Sequence, residues 1–206
     1  MKLILVRHGT TSWNLNGKFQ GQSDIELNEE GQRQAAAVGQ ELKGTTLEAL
    51  YSSPLKRSLQ TANAIAMAKD YSLPVITVDD LQEMDLGGFH GKTGPEIRSQ
   101  YPSVYEAWRS DPSDVQMPGG ESLSQVQTRA WKAIEKIKGD HATGIIAAVS
   151  HNFTIVTVLC RLLGVPISHF HSLRIDLASL TTVEWDRDRW ILASLNGLTH
   201  LRMTNS

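Results

Sequence analysis

The chain has 206 residues, of which 40% are hydrophobic and 20% are charged, and its formal net charge is -2 at pH 7. This length and composition suit one α/β-sized domain, or two small ones at most, and exclude disordered, collagen-like and coiled-coil proteins. Because Lys and Arg are not in excess, we expect neither nucleic acid nor a membrane surface as a partner, and any anion site must be local.

The N-terminal segment and the cysteine content favour a cytoplasmic location. Only four aliphatic residues follow Met1-Lys2, too few for the core of a signal peptide, and no apolar run approaches the roughly 18 residues of a membrane span. The single cysteine, Cys160, lies in the apolar run 155–160, where a buried thiol is expected.

The first predicted element is a strand at 3–6, a solidly apolar run typical of a strand covered on both faces of a mostly parallel sheet. It ends at Arg7-His8-Gly9. A helix is predicted over 29–42, because Asn28 provides an N-cap and Gly44 follows its last turn.

A second strand and helix follow. The apolar run 50–52 predicts a strand, and Ser53-Pro54 predicts an N-cap and first-turn proline, which would place Arg57 at the start of the helix. A third strand is predicted at 75–78, and Glu83 lies in the loop after it.

The second half of the chain repeats the first pattern. Ser122 and Gln125 form a capping box that opens an amphipathic helix. The apolar run 144–150 predicts a strand that delivers His151 at its end, and a helix is predicted over 154–163.

The remaining segments complete a three-layer α/β/α sandwich with a mostly parallel central sheet, in a single domain over residues 1–206. Runs 178–185 and 190–195 predict a hairpin at the close of the sheet. Residues 90–120 are interpreted as a lid-like insertion. Three aromatic residues stand at helical spacing within it: Tyr101, Tyr105 and Trp108.

Four predicted loops carry side chains suited to one anion site. In such sheets ligands gather beyond the carboxyl ends of the strands, where Arg7-His8, Arg57, Glu83 and His151 are expected. Two guanidiniums and two imidazoles suit a dianion, because the planar fork of arginine matches phosphate oxygens. The sequence therefore predicts a phosphate ester as substrate. A structural ion pair at Arg7-His8 and a core histidine at His151 are the alternatives.

These residues stand in sequence blocks that follow one another in a fixed order. The blocks are Leu5–Asn14 (LVRHGTTSWN), Leu27–Gln32, Ser52–Ala62, Glu83–Gly87, Pro118–Ser122 and Val149–His151. Together they resemble the histidine phosphatase superfamily in its phosphoglycerate-mutase-like branch, over nearly the whole chain. The resemblance is to the phosphatase subgroup that includes metal-independent phosphoserine phosphatase and α-ribazole phosphatase.

The resemblance implies a two-step phosphoryl transfer that needs no metal and no cofactor. His8 would attack phosphorus, and water would then cleave the phosphohistidine. A neutral imidazole suits this role near pH 7. Glu83 would protonate the leaving alkoxide, while His151, Arg7 and Arg57 would neutralise the phosphoryl oxygens.

The resemblance also implies further binding residues, and this chain departs from the family pattern at two places. The additional residues expected to bind phosphate or substrate are Asn14, Gln20, Gly21 and Asn152. Many relatives carry Glu or Gln where this chain has Thr10, and Gly-Gly where it has Asn152-Phe153. Both departures concern substrate preference more than reaction type.

We therefore expect a phosphomonoesterase acting on small phosphorylated metabolites. Phosphoserine is favoured because Arg174 and Asp176 would select an amino acid zwitterion. α-Ribazole phosphatase, a broad-specificity sugar phosphatase, a cofactor-dependent phosphoglycerate mutase and a non-catalytic phosphate-binding module remain the alternatives. The compact length favours hydrolysis over mutase activity, and a homodimer is left open.

Overall fold

A six-stranded sheet runs through the centre of the protein, whose computed structural model describes residues 1–202. The strands are β1 Lys2–Arg7, β2 Ala49–Ser52, β3 Val75–Thr77, β4 Ile145–Ser150, β5 Leu180–Asp186 and β6 Arg189–Gly197. Their order is β3-β2-β4-β1-β5-β6. The first four strands pair in parallel, whereas β5 runs antiparallel to β1 and β6. The predicted mostly parallel sheet and its closing hairpin are confirmed.

Helices cover both faces of this sheet. They are α1 Ser12–Leu15, α2 Glu29–Leu42, α3 Lys56–Met67, α4 Gly94–Gln100, α5 Pro102–Ser110, α6 Leu123–Asp140, α7 Asn152–Leu163 and α8 Thr199–Arg202. Short 3-10 turns lie at Asp79–Leu81, Gly87–Phe89 and Ile167–Ser172.

Alternate residues of β1 point to opposite faces of the sheet, as the period of a strand requires. Leu3 and Leu5 pack in the core beneath α6 and α7, whereas Ile4 and Val6 pack in the core beneath α2 and α3. Two helical layers therefore enclose the sheet, and the predicted three-layer sandwich is confirmed.

The predicted start of α3 is wrong by two residues. Ser53-Pro54 does not cap the helix, because Leu55 is extended (ψ 135°) and the helix begins at Lys56. The hydroxyl of Ser53 accepts a hydrogen bond from the Leu55 amide and contacts the ring of His151 instead. Arg57 still lies in the first turn of α3, as predicted.

Helix α7 begins at Asn152, two residues before the predicted start. Its N-cap residue, His151, makes no capping hydrogen bond with its side chain. The carboxylate of Glu83 accepts hydrogen bonds from the amides of Phe153 and Thr154, and so satisfies the helix N-terminus from a distant loop.

The insertion-like segment forms two short helices, α4 and α5, joined at Tyr101. Tyr101, Tyr105 and Trp108 pack against the core on the α6 and α7 side of the sheet. The Trp108 ring meets the Phe153 and Phe170 rings edge-on, at centroid distances of 6.0 and 5.5 Å. The aromatic residues are thus a packed face, while the lid role of the segment stays a prediction.

The first turn of α2 approaches the loop after β1 so closely that only glycine fits. A Cβ on Gly31 would lie 2.0 Å from the carbonyl oxygen of Thr10. We expect Gly31→Ala to lower the free energy of unfolding by about 1–3 kcal/mol, because the helix must move off the loop. Urea denaturation measures this change.

Gly139→Ala is the matched control, because a Cβ at this position in α6 meets nothing within 4 Å. Alanine in a helix interior should raise stability by up to about 1 kcal/mol. Equal stabilities of Gly31→Ala and the wild type would contradict the close approach.

Candidate active site

Two histidines leave neighbouring strands side by side. Strands β1 and β4 pair in parallel with Arg7 opposite Ser150, so that the next residues, His8 and His151, leave the sheet together. Their ring centroids lie 5.1 Å apart, and both side chains are buried. The pairing of two strands far apart in sequence therefore builds the centre of the site.

The ring of His8 is held in one tautomer. Its Nδ1 lies 2.7 Å from the carbonyl oxygen of Gly9, which can only accept, so that Nδ1 carries the hydrogen. The other nitrogen, Nε2, keeps its lone pair and accepts a 3.2 Å hydrogen bond from Arg57 Nε. Burial lowers the pKa of His8 well below 6.5, and the Arg57 and Arg7 cations lower it further. Position 8 therefore presents a neutral imidazole whose one ring lone pair, on Nε2, faces Arg57, and a bond from this nitrogen to a ligand would replace that hydrogen bond.

Arg57 is fully buried and spans the floor of the site. Its two terminal nitrogens donate to the carbonyl oxygens of Ser23 and Gly21, both at 2.7 Å. Burial lowers the pKa of Arg57 to about 10, which leaves the guanidinium charged at neutral pH. Gly21 has φ +49°, and a Cβ there would lie 2.3 Å from His90 Nε2. This loop therefore requires glycine to hold Arg57.

Arg7 is fixed by residues from two other segments of the chain. One terminal nitrogen donates to the carbonyl of Ile175 at 2.5 Å and to Asn152 Oδ1 at 3.3 Å. Its Nε is buried and has no hydrogen-bond partner among the described residues. An unpaired buried donor is costly unless an anion takes its hydrogen.

His151 carries a second buried nitrogen without a partner. Its Nε2 lies 2.8 Å from Ser53 Oγ and 3.2 Å from Ser58 Oγ, and these hydroxyls can serve this nitrogen in either tautomer of the ring. Its Nδ1 is buried without a partner within residues 1–202. Burial lowers the pKa of His151 well below 6.5, with further lowering from Arg57 and His8.

Glu83 faces the same cavity from the loop after β3. Its carboxylate accepts hydrogen bonds from the amides of Met84, Phe153 and Thr154 at 3.0 to 3.3 Å. The side chain is 7% exposed, so that it is buried but still reaches the cavity wall. These bonds orient a carboxyl group toward the space in front of His8.

A small cavity of about 170 Å³ joins these groups. Its walls include all predicted site residues except His151, namely Arg7, His8, Asn14, Gln20, Gly21, Arg57, Glu83 and Asn152. The structure thus brings the predicted residues to one place, while their chemical roles stay predictions.

The loop 16–23 contributes residues that the sequence interpretation missed. Lys18 and Phe19 line the cavity, as does Leu86 from the opposite loop. The amide of Phe19 donates to the carbonyl of Lys92, and the carbonyl of Phe19 accepts from the amide of Gly91. Asn14 and Gln20 are both predicted to lie at the site, and only five residues separate them in the sequence. This short spacing could have indicated that Lys18 and Phe19 also lie there.

Two amide side chains line the cavity beside this loop. Oδ1 of Asn14 accepts from the Thr11 amide and hydroxyl, which leaves its NH₂ group as the donor for a ligand. Gln20 Oε1 lies 3.0 Å from the same Thr11 oxygen, whose single hydrogen is shared between the two amide groups. Thr10, by contrast, donates through both its amide and hydroxyl to Gln34 and does not line the cavity. Of the two departures from the family pattern, only Asn152-Phe153 meets the ligand space.

A larger apolar cavity of about 430 Å³ adjoins the site. It shares Phe19, Leu86 and Phe153 with the catalytic cavity. Further along it is lined by Trp108 and other aromatic residues, with Arg109 and His171 among its polar groups. An apolar surface therefore continues from the small cavity that His8 lines.

Arg174 and Asp176 do not line either cavity. Arg174 Nε donates to Asp176 Oδ1 at 2.9 Å, and the Asp176 carboxylate also accepts from Asn196. The expectation that this pair contacts a zwitterion stays a prediction. The same stretch holds Arg7, through the carbonyl of Ile175.

Neither a metal cluster nor a membrane-spanning helix is found in the described part of the chain. Residues 1–202 contain no group of three or more His, Cys, Asp or Glu side chains arranged to hold a metal ion. None of their helices has the length and apolar character needed to cross a membrane. Cys160 is buried, as predicted.

Comparisons with known proteins match this geometry to one family. Residues 3–197 match the histidine phosphatase superfamily (branch 1). Phosphoserine phosphatase 1 of Hydrogenobacter thermophilus is 38% identical over 201 residues, covering 98% of this chain and 94% of that protein. The structure of Bacillus stearothermophilus YhfR superposes with a TM-score of 0.91 at 29% identity, covering 97% of this chain and 98% of that one. A mutant of Entamoeba histolytica phosphoserine phosphatase in complex with phosphoserine gives a TM-score of 0.86 at 32% identity, with the same coverage.

The lowered pKa values of His8 and His151 predict an acid-sensitive fold. Below pH 6.5 the unfolded chain binds protons that the buried neutral rings do not, so that stability present above 6.5 falls as the pH drops toward the lower folded values. We expect His8→Gln and His151→Gln each to flatten this dependence. Urea unfolding between about pH 8 and pH 5.5 measures it.

The exposed His169 provides the control, because His169→Gln should keep the slope of the wild type. If His8→Gln and His151→Gln also kept the full slope, the buried rings would not be the source of the acid sensitivity.

Proposed function

The chain belongs to branch 1 of the histidine phosphatase superfamily and is a phosphoric monoester hydrolase, and from that premise we propose that it hydrolyses phosphoserine through a phosphohistidine at His8 without a metal ion. The observation that carries the mechanism is the fixed tautomer of His8. The tautomer leaves a nitrogen lone pair among the cationic and N–H donors of the cavity.

In the first step Nε2 of His8 forms a bond to phosphorus while the ester P–O bond breaks. The ring gains positive charge, which the Gly9 carbonyl stabilises through the Nδ1–H hydrogen bond. Arg7, Arg57 and His151 stabilise the charge on the phosphoryl oxygens, with the unpaired Arg7 Nε and, in the tautomer that carries its hydrogen there, His151 Nδ1 as donors. Preorganised donors of this kind contribute a few kcal/mol each in comparable sites, about 2.7–4 kcal/mol for an oxyanion hole.

Glu83 moves the proton in both steps. Its carboxyl group gives a proton to the leaving alkoxide, and the resulting carboxylate then takes one from the attacking water. Water forms a new P–O bond, the N–P bond breaks, and inorganic phosphate leaves with His8 neutral again. Asn14 and the first turn of α7 at Asn152 contribute further donors to the phosphoryl group.

Two observations support phosphoserine as the substrate. Phosphoserine phosphatase 1 of Hydrogenobacter thermophilus is 38% identical to this chain, and a structural neighbour holds phosphoserine itself. Around the cavity, the Lys18 cation and the amides of Asn14 and Gln20 suit the carboxylate of a small amino acid ester.

A broad-specificity phosphatase is the second candidate, because of the apolar cavity beside the site. Phe153 replaces a small residue of the family pattern and, with Trp108, gives an aryl or bulky alkyl leaving group a surface to pack on. Phosphoserine is too polar to gain from that surface. The two candidates therefore differ in which ester reacts fastest.

We also propose a cytoplasmic enzyme. The buried thiol of Cys160 suits a reducing compartment, and small phosphorylated metabolites are the proposed substrates. A homodimer is compatible with this function.

His8→Ala should lower kcat/KM by on the order of 10³-fold or more, because the nucleophile is removed. Acid-labile phosphate should appear on the peptide containing His8 when the wild type is quenched during turnover, and mass spectrometry detects it. His169→Ala is the control and should retain both activity and label. Turnover without label at His8, or loss of activity with a chelator, would contradict the mechanism.

A panel of phosphate esters tests the substrate. We expect phosphoserine to give the highest kcat/KM for phosphate release, above sugar phosphates, α-ribazole phosphate and aryl phosphates. Conversion of 3-phosphoglycerate to 2-phosphoglycerate should be slower than phosphate release. Faster turnover of aryl esters, reduced selectively by Trp108→Ala, would favour the broad-specificity enzyme.

A further inference from the structure

We propose that Arg129, in the middle of α6, is a positioning residue that sets the carboxyl group of Glu83 for proton transfer. The inference rests on the proposed function, in which Glu83 protonates the leaving group. Arg129 does not line the catalytic cavity, and its side chain is 18% exposed. It therefore acts through the loop that carries Glu83.

The guanidinium of Arg129 uses all five of its N–H donors. One nitrogen donates to the carbonyls of Asp80 and Gln82, at 3.0 and 2.7 Å. The second terminal nitrogen donates to the carbonyl of Glu83 at 3.0 Å and to Glu121 Oε2 at 2.9 Å. Nε donates to Glu121 Oε1 at 2.7 Å. Three peptide carbonyls around Glu83 are thus fixed by one planar group.

Glu121 anchors the other end of the same loop. Its carboxylate accepts from the amide of Asp85 at 2.8 Å, and its own amide donates to the carbonyl of Asp85 at 2.8 Å. Gly120 permits this approach, because a Cβ there would lie 2.3 Å from the Asp85 carbonyl oxygen. The segment 80–85 is consequently held on both sides of Glu83 by one Arg–Glu pair.

This arrangement decides where the Glu83 carboxyl group lies. The Glu83 carboxylate accepts hydrogen bonds from backbone amides at 3.0 to 3.3 Å. The hydroxyl of Thr154 lies 3.4 Å from the same carboxylate. These weak contacts position the carboxyl group only if the peptide beneath it is fixed. A displacement of about 1 Å in a reacting group can reduce the rate by roughly 10²-fold. Lysine would keep the charge of Arg129 but not the planar fork that binds three carbonyls.

The test compares a poor with a good leaving group. In Arg129→Lys we expect kcat/KM, which reports the steps through release of the alcohol, to fall about 10-fold or more for an alkyl ester such as phosphoserine. For p-nitrophenyl phosphate kcat/KM should change less than about 2-fold, because in that step only the alkoxide needs a proton. Glu83→Gln should show the same pattern. A purely structural role would reduce both rates together.

Lys132→Gln is the matched control. Lys132 lies one turn further along α6, its Nζ is 3.9 Å from Asp80 Oδ2, and its side chain is 83% exposed. Removal of this cation leaves the carbonyl contacts of the loop in place. Both ester rates should equal those of the wild type.

A double-mutant cycle tests the role of Arg129 separately from the proposed role of Glu83 as proton donor. If Arg129 acts through Glu83, then Arg129→Lys should cause no further selective loss in the Glu83→Gln background. Two outcomes would overturn the positioning role alone. In one, the rate losses of the two substitutions multiply in the double variant. In the other, Arg129→Lys slows both esters equally while Glu83→Gln slows mainly the alkyl ester. A Glu83→Gln variant without leaving-group dependence would overturn the proton-donor assignment first.

Glu121→Gln keeps the test decisive if Arg129→Lys does not fold. It weakens the anchor of Arg129 while leaving the arginine and its bonds to the carbonyls. We expect the same leaving-group selectivity with a smaller loss, about 3-fold or more on the alkyl ester. Unchanged rates on both esters would overturn the inference.

Discussion

The site depends on one interaction, the parallel pairing of β1 with β4 in a register that places Arg7 opposite Ser150. A shift of one residue would turn His8 and His151 to opposite faces, because side chains alternate along a strand. Apolar residues on both faces enforce the register, since each face of β1 and β4 is covered by its own core. The hydrophobic effect thus sets the geometry of the catalytic pair.

Burial then determines the electrostatics. Two arginines and two histidines are excluded from water in a small space, and the fold compensates for the desolvation with peptide carbonyls at Gly9, Gly21, Ser23 and Ile175. The arginines stay charged while the imidazoles stay neutral. A neutral nucleophile next to fixed cations is the combination that transfer of a dianionic group requires.

Two loops contribute further residues to the catalytic cavity. Loop 80–85 brings a carboxyl group to the leaving-group side, and its conformation depends on the Arg129–Glu121 pair. Loop 16–23 closes over Arg57 through the carbonyls of Gly21 and Ser23. Phe19 and Phe153 connect the site to the apolar cavity. Under the proposed function, these two aromatic residues bear on substrate preference and not on the phosphoryl transfer.

The sequence by itself determined the elements and the chemistry of their ends, because apolar runs, caps and the arginine–histidine blocks are local signals. It identified Arg7, His8, Arg57, Glu83 and His151 without any knowledge of which strands pair. It failed for Ser53, whose hydroxyl contacts the distant His151. It also failed for the start of α7, where the carboxylate of the distant Glu83 accepts from the helix amides. It did not show that Arg174 and Asp176 pair with each other. Only the tertiary structure decided which carbonyls fix the two arginines, which ring nitrogen of His8 keeps its lone pair and what Arg129 binds, because each depends on contacts between segments that local sequence patterns do not relate.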